Sequence, residues 1–243
     1  MRSPDALAED KTDSDMTLSY TITTSEPVNQ QVYRYLRRDI VTCVIQPGAL
    51  LSEKEVSARF NLSRQPVREA FIKLAEAGLV QILPQRGTFV RRISAKRVED
   101  GRFIREAVEI AVVRRAAEEI AESGLMALEH NLQLQRITAA RGDSQMFLSL
   151  DDEFHRLIAE SIGCPLAWET VENIKATMDR VRYLTLNDVA PAETLIEQHD
   201  AIFAALKAND PGKAEAALRH HLQAMMFSIT PVIKQNSAWF EED

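Results

Sequence analysis

Residues 51–90, LSEKEVSARFNLSRQPVREAFIKLAEAGLVQILPQRGTFV, change rhythm twice, and those changes decide the fold. The stretch opens with Ser52 followed three residues later by Glu55. This is a capping box, in which each side chain satisfies a free backbone N–H of the other residue, so a helix starts there. "NLS" at 61–63 is a short turn, with Ser63 as N-cap of the next helix and Pro66 tolerated in its first turn. That helix runs to Gly78 and places Val67, Ala70, Phe71, Leu74 and Ala75 on one face. Apolar residues then alternate on either side of a turn at residues 84–87, the pattern of two short strands.

Upstream, from Asn29, Val32, Leu36, Ile40 and Val44 recur four apart until the "QPG" of 46–48, which reads as one more helix. Three helices followed by a hairpin make a winged helix-turn-helix over residues 26–93. Residues 1–25 are polar and without periodicity, the signature of a disordered tail. "SAKRVED" at 94–100 reads as a polar linker. Helical patterns follow at 101–121, 125–141, 144–162, 165–187, 192–208 and 211–235, broken by "ESG", "RGD", "IGCP", "NDVAP" and "NDPG". The expected fold is mainly α, a winged helix followed by an antiparallel helical bundle over residues 101–235.

The totals agree with that reading. A chain of 243 residues can bury two ordinary cores, and only eight glycines leave room for few tight turns. Cys43 and Cys164 cannot build a disulfide framework, and no run approaches the roughly 18 apolar residues of a membrane span. The N-terminal segment lacks the apolar core of a secretory signal. No membrane partner and a cytoplasmic location are therefore expected. The formal charge of -7 is unevenly spread. Residues 1–25 carry -3, residues 26–93 carry +5 and the remainder -9, so a basic module is joined to an acidic one.

The basic module points to DNA. A helix-turn-helix sends the first turn of its second helix into the major groove. Here that turn offers Arg64, Gln65 and Arg68. Arginine can bond guanine bidentately and glutamine can bond adenine, while Ser63 and the helix N-terminus suit a phosphate. Arg86, Gly87 and Thr88 at the wing tip are candidates for the neighbouring groove or backbone. Any one of these arginines could equally be a solvated surface charge; the constellation is what carries the assignment.

Residues 28–92 closely resemble the N-terminal domain of the GntR family of bacterial transcription regulators, through "PGALLSE", "SRQPVREA", "GLV" and "RGTFV". The resemblance implies DNA contacts at Lys54, Ser63, Arg64, Arg68 and Gly87. Glu53 and Glu55 belong to helix capping instead.

In the acidic module, Asp151 and His155 lie on an apolar helical stripe with Phe147, Leu148 and Ile158. His199 is flanked by Leu195, Ile196, Ile202 and Phe203, and His221 by Leu218 and Met225. A lone histidine on such a face is usually a hydrogen-bonded core residue. Four buried polar groups without partners would be costly, whereas one divalent cation satisfies all four. Three imidazoles and a carboxylate suit Zn²⁺, with Ni²⁺ or Mn²⁺ also compatible.

Residues from about 101 to 232 also resemble the FCD domain, the ligand-binding domain that accompanies this winged helix in the FadR subfamily. Its metal pattern is Asp and His four apart, then one His on each of two later helices. It falls on Asp151, His155, His199 and His221; His221 is preferred to His220, and His130 is structural. Members that bind fatty acyl-CoA lack this histidine set, so an acyl-CoA ligand is not expected. The resemblance implies an effector that is a small carboxylate or sugar acid held at the metal. It also places Arg105 at the effector, although Arg105 reads equally as a surface ion pair with Glu109.

The expected protein is a homodimeric, metabolite-responsive repressor that binds a short palindromic operator. The alternatives are a sensor for which the metal itself is the signal, and a metal-dependent enzyme with Asp152 or Glu153 as base. No enzymatic activity is expected.

Overall fold

The structure is a computed structural model and describes residues 21–185, 191–224 and 229–241. The first helix, α1 (Val28–Val41), buries Val32, Leu36 and Ile40 along one face. It ends earlier than the apolar spacing suggested: Cys43 turns the chain in the left-handed region, and Val44 is exposed. Residues 21–25 depart from the expected tail. The Thr23 N–H donates to the buried Gln31 side chain, and Gln31 Nε2 donates back to the carbonyls of Thr23 and Glu26. A helix-borne glutamine thus ties down an irregular segment that the apolar pattern could not reveal. The rest of the expected tail lies outside the described residues.

Strand β1 (Leu50–Leu51) leads into α2 (Glu53–Phe60), whose N-cap Ser52 accepts a hydrogen bond from the Glu55 N–H as the capping box requires. Asn61, left-handed, closes α2. Helix α3 (Arg64–Glu76) then buries Val67, Ala70, Phe71 and Leu74, with Ala75 partly covered. Ser63 occupies its N-cap position without a side-chain capping bond. The hairpin is β2 (Val80–Leu83) and β3 (Gly87–Val90), antiparallel with Ile82 opposite Thr88. β1 adds to the other edge of β3, Leu51 opposite Thr88, giving the order β1-β3-β2. Two residues carry too little periodicity to announce a strand, so β1 was not legible.

The stretch 94–100 is not a loop. Ser94 caps α4 (Ala95–Glu119) by accepting from the Arg97 N–H, and Val98 is buried in the first turn. The two halves are therefore joined by a helix. Its start is clamped by residues near the C-terminus, where the Ile93 N–H donates to Trp239 and the Glu241 N–H donates to Ile93.

The bundle continues with α5 (Glu122–Ala140), α6 (Ser144–Ser161), α7 (Pro165–Thr185), α8 (Ala192–Lys207), α9 (Pro211–Ala224) and α10 (Ile229–Gln235). Its core gathers Val113, Leu128, Phe154, Ile158, Ile202 and Leu218 from α4, α5, α6, α8 and α9. Burying a side chain such as Phe154 contributes about 1.5–3 kcal/mol, which is why these amphipathic segments close on one another. Mainly α architecture is what the two periodicities dictate. Among the described residues no helix is long and apolar enough to cross a membrane.

Candidate functional site

The N-terminus of α3 is exposed at Ser63, Arg64, Gln65 and Arg68, and Lys54 is exposed in the first turn of α2 beside it. These side chains differ in their freedom. Arg68 is held by Glu53 through two contacts of 3.1 Å, and that hydrogen bond keeps the Glu53 carboxyl below its ordinary range. Gln65 donates to Glu69 at 3.0 Å. The Glu53 side chain is therefore placed to aim a candidate DNA contact. At the wing tip Arg86 and Gly87 are exposed, but Thr88 is buried between β1 and β2. Thr88 belongs to the sheet, because strand alternation turns it inward.

In the bundle, α6 contributes Asp151 and His155, one turn apart, while α8 contributes His199 and α9 His221. All four are buried, and one donor atom from each lies within 4.8 Å of the others. His220 and His130 are exposed and away from this cluster. Met225, expected beside His221, lies outside the described residues.

The orientation of the rings is fixed by a second layer absent from the sequence reading. His155 Nδ1 donates to Glu109 at 2.6 Å, His199 Nδ1 to Gln135 at 2.9 Å, and His221 Nδ1 to Gln198 at 2.9 Å. Gln135 is itself oriented by donating its amide to Asn131 at 2.7 Å. A neutral imidazole that donates from Nδ1 keeps its lone pair at Nε2. All three Nε2 atoms are therefore acceptors turned toward the cluster, the arrangement by which second-layer partners prepare histidines for a metal. Among the described residues, His199 Nε2 and Asp151 Oδ1 are both buried without a hydrogen-bond partner, 3.5 Å apart. Buried polar atoms are normally satisfied, and a divalent cation is one group that would satisfy both.

Electrostatics favour the same occupant. Burial pushes His199 down to about 3, and burial together with the neighbouring His199 holds His221 well below its ordinary value, so both rings are neutral and available. Burial opposes the charge on Asp151, but Arg182 and the clustered imidazoles together outweigh it and keep that carboxyl well below the usual range. Burial likewise opposes Glu109, and Arg105 with His155 brings it down to about 2.

Arg105 is 1% exposed and donates to Glu109, so the expected surface pair is an interior one; the wide buried face of α4 takes in both. Its Nη2 has no hydrogen-bond partner among the described residues. The cavity beside His155 and Glu109 measures about 10 Å³, room for about one water. Asp152 and Glu153 are both ion-paired, to Lys175 and Arg182 and to Arg156 respectively, which leaves neither poised as a base.

A winged helix fused to a helical bundle with a buried donor cluster is the architecture of a DNA-binding regulator. Comparison with known proteins makes the class specific. The family described as "Bacterial regulatory proteins, gntR family" matches residues 28–90, and "FCD domain" matches residues 102–224. The chain is 54% identical over 228 residues to "HTH-type transcriptional repressor RspR" of Escherichia coli (strain K12), covering 94% of this chain and 100% of that protein. It is 30% identical over 206 residues to "Probable D-xylose utilization operon transcriptional repressor" of Paenarthrobacter nicotinovorans, covering 84% of this chain and 89% of that one. Among solved structures it is similar to "E. coli McbR/YncC", with a TM-score of 0.72 at 23% identity, covering 86% of this chain and 99% of that one, a likeness of fold. The chain belongs to the GntR family, in its FadR-like branch with an FCD domain. It is a DNA-binding transcriptional regulator and not an enzyme.

Proposed function

We propose that the protein is a homodimeric repressor that binds a short palindromic operator and holds a divalent cation at Asp151, His155, His199 and His221. The observation that carries the metal reading is the convergence of three Nε2 lone pairs and the orphaned Asp151 Oδ1 in a buried space. Zn²⁺ matches this donor set best, with Ni²⁺ or Mn²⁺ as the other candidates. Residues 26–93 act as the DNA-binding domain, with Lys54, Ser63, Arg64, Gln65, Arg68, Arg86 and Gly87 as the contacts. Residues 101–235 act as the sensing domain. The names of the two curated relatives, both repressors, support the direction of regulation.

The effector in this reading is a small carboxylate or sugar acid that coordinates the metal through oxygen and pairs with Arg105 Nη2, which has no partner among the described residues. A second reading makes the metal alone the signal; the cavity beside His155 and Glu109 has room for about one water and not for an organic acid. Operator fragments selected from genomic DNA would decide between them. With the first reading, metal-loaded protein stays bound until a particular acid is added. With the second, titrating metal alone changes operator affinity.

A further inference from the structure

Helix α7 carries four charged side chains that are almost wholly buried: Lys175, Asp179, Arg180 and Arg182. Charges in such a setting persist only when matched, so their partners define what the helix does. Arg182 donates to Asp151 Oδ2, while the other oxygen of that carboxylate faces the donor cluster. The same guanidinium lies 2.9 Å from Asp152 and 3.5 Å from Asp179. Lys175 Nζ lies 2.5 Å from Asp152 and 3.0 Å from Asp179. Arg37, on α1 of the winged helix, closes the chain with a 2.8 Å contact to Asp179 Oδ2.

Three carboxylates and three cations thus form a balanced network running from a candidate metal donor to the DNA-binding half. Two further contacts tie α7 to that half. Arg180 donates to the Arg91 carbonyl just beyond β3 at 2.5 Å, and Ala176 packs into the winged-helix core. One helix therefore touches the sensing cluster on one side and both α1 and the base of the wing on the other.

We propose that α7 transmits the state of the cluster to the winged helix through Asp179, whose carboxylate Arg182 and Arg37 share. A divalent cation on Asp151 Oδ1 competes with Arg182 for the charge of that carboxylate. Arg182 then strengthens its contacts to Asp152 and Asp179, and the hold of Asp179 on Arg37 weakens. Metal binding loosens α1 from α7, which changes how the two winged helices of a dimer are presented. This rests on the cluster binding a metal, and the coupling is real only if the cation favours one arrangement over the other.

The test is hydrogen–deuterium exchange of the full chain, stripped with chelator and then titrated with ZnCl₂, alongside calorimetric measurement of zinc affinity. In the natural protein zinc accelerates exchange across α1 by about fivefold or more, the lower end of ordinary coupling. In Arg37→Gln, α1 exchanges fast from the start and ignores zinc, while zinc binds tighter by about the same factor that zinc speeds α1 exchange in the natural protein, as reciprocal coupling requires. Asp179→Asn behaves alike; should it misfold, the half-buried Arg37 variant decides alone. Zinc that binds without changing α1 exchange, or a response that survives in Arg37→Gln, overturns the relay only. A chain that binds no zinc overturns the relay and the metal reading together.

Discussion

His155 Nε2 stands 3.2 Å from His221 Nε2, although each ring already donates its Nδ1–H, one to Glu109 and the other to Gln198. With both Nδ1–H groups so committed, the two Nε2 atoms face each other. Either a proton on one of them or a cation between them resolves the contact, and the adjacent orphans on His199 and Asp151 favour the cation.

The second layer should therefore set affinity. Gln198 is half-buried and holds His221 Nδ1. Gln198→Leu is expected to weaken zinc binding about 10–100-fold in calorimetry with little change in thermal stability of the metal-free protein. Unchanged affinity would mean that His221 is not positioned by this bond.

Acid should destabilise the metal-free protein. His199 has a folded value near 3 against 6.5 for the free side chain, so the unfolded chain binds the extra proton between these limits. Glu109, near 2 against 4.5, acts in the same direction further down, its contribution being lost as pH falls toward 2. Stability then falls as pH is lowered from about 6.5. Melting curves in chelator from pH 7 to pH 4.5 should show a falling Tm; a flat or rising one contradicts the neutral, buried state of the imidazole.

Recognition should depend unequally on the exposed arginines. Arg64 makes no ion pair among the described residues, whereas Arg68 is committed to Glu53. Arg64→Ala is expected to cost about 1–3 kcal/mol of specific binding, read by fluorescence anisotropy on a selected operator. Glu53→Gln, by releasing Arg68, should alter sequence preference more than salt dependence. Equal binding by the Arg64 variant would remove α3 from the interface.

The wing depends on one backbone position. Gly87 has φ +109, and a Cβ there would sit 2.8 Å from Leu50 Cδ1 on β1. Gly87→Ala is expected to destabilise the DNA-binding half by about 1–3 kcal/mol, measured by chemical denaturation, because the positive φ strains any residue with a Cβ; the exposed Leu50 tip can move aside. A variant as stable as the parent would show that the turn absorbs the strain.

What the sequence disclosed follows the range of the forces involved. Caps and turns act over three or four residues, so Ser52, Asn61 and the hairpin punctuation announced the winged helix. Apolar stripes around Asp151, His155, His199 and His221 showed each donor facing inward on its own helix. Their partners were hidden because Glu109, Gln135 and Arg182 come from other helices, and only packing brings them within reach. Arg105 and Glu109, four apart, look like any surface pair until α6 and α9 cover α4. Thr88 and residues 94–100 were misread for a related reason: burial by β1 and capping by Ser94 depend on neighbours that polarity alone does not reveal.

The most direct measurement is metal content with X-ray absorption at the zinc edge on the full chain. The account predicts about one zinc per chain, with imidazole nitrogen and carboxylate oxygen at about 2.0–2.2 Å, and loss of that metal in a His199→Ala, His221→Ala double variant that remains folded. A chain that takes up no divalent cation, or a double variant that holds it as tightly as the parent, would contradict it.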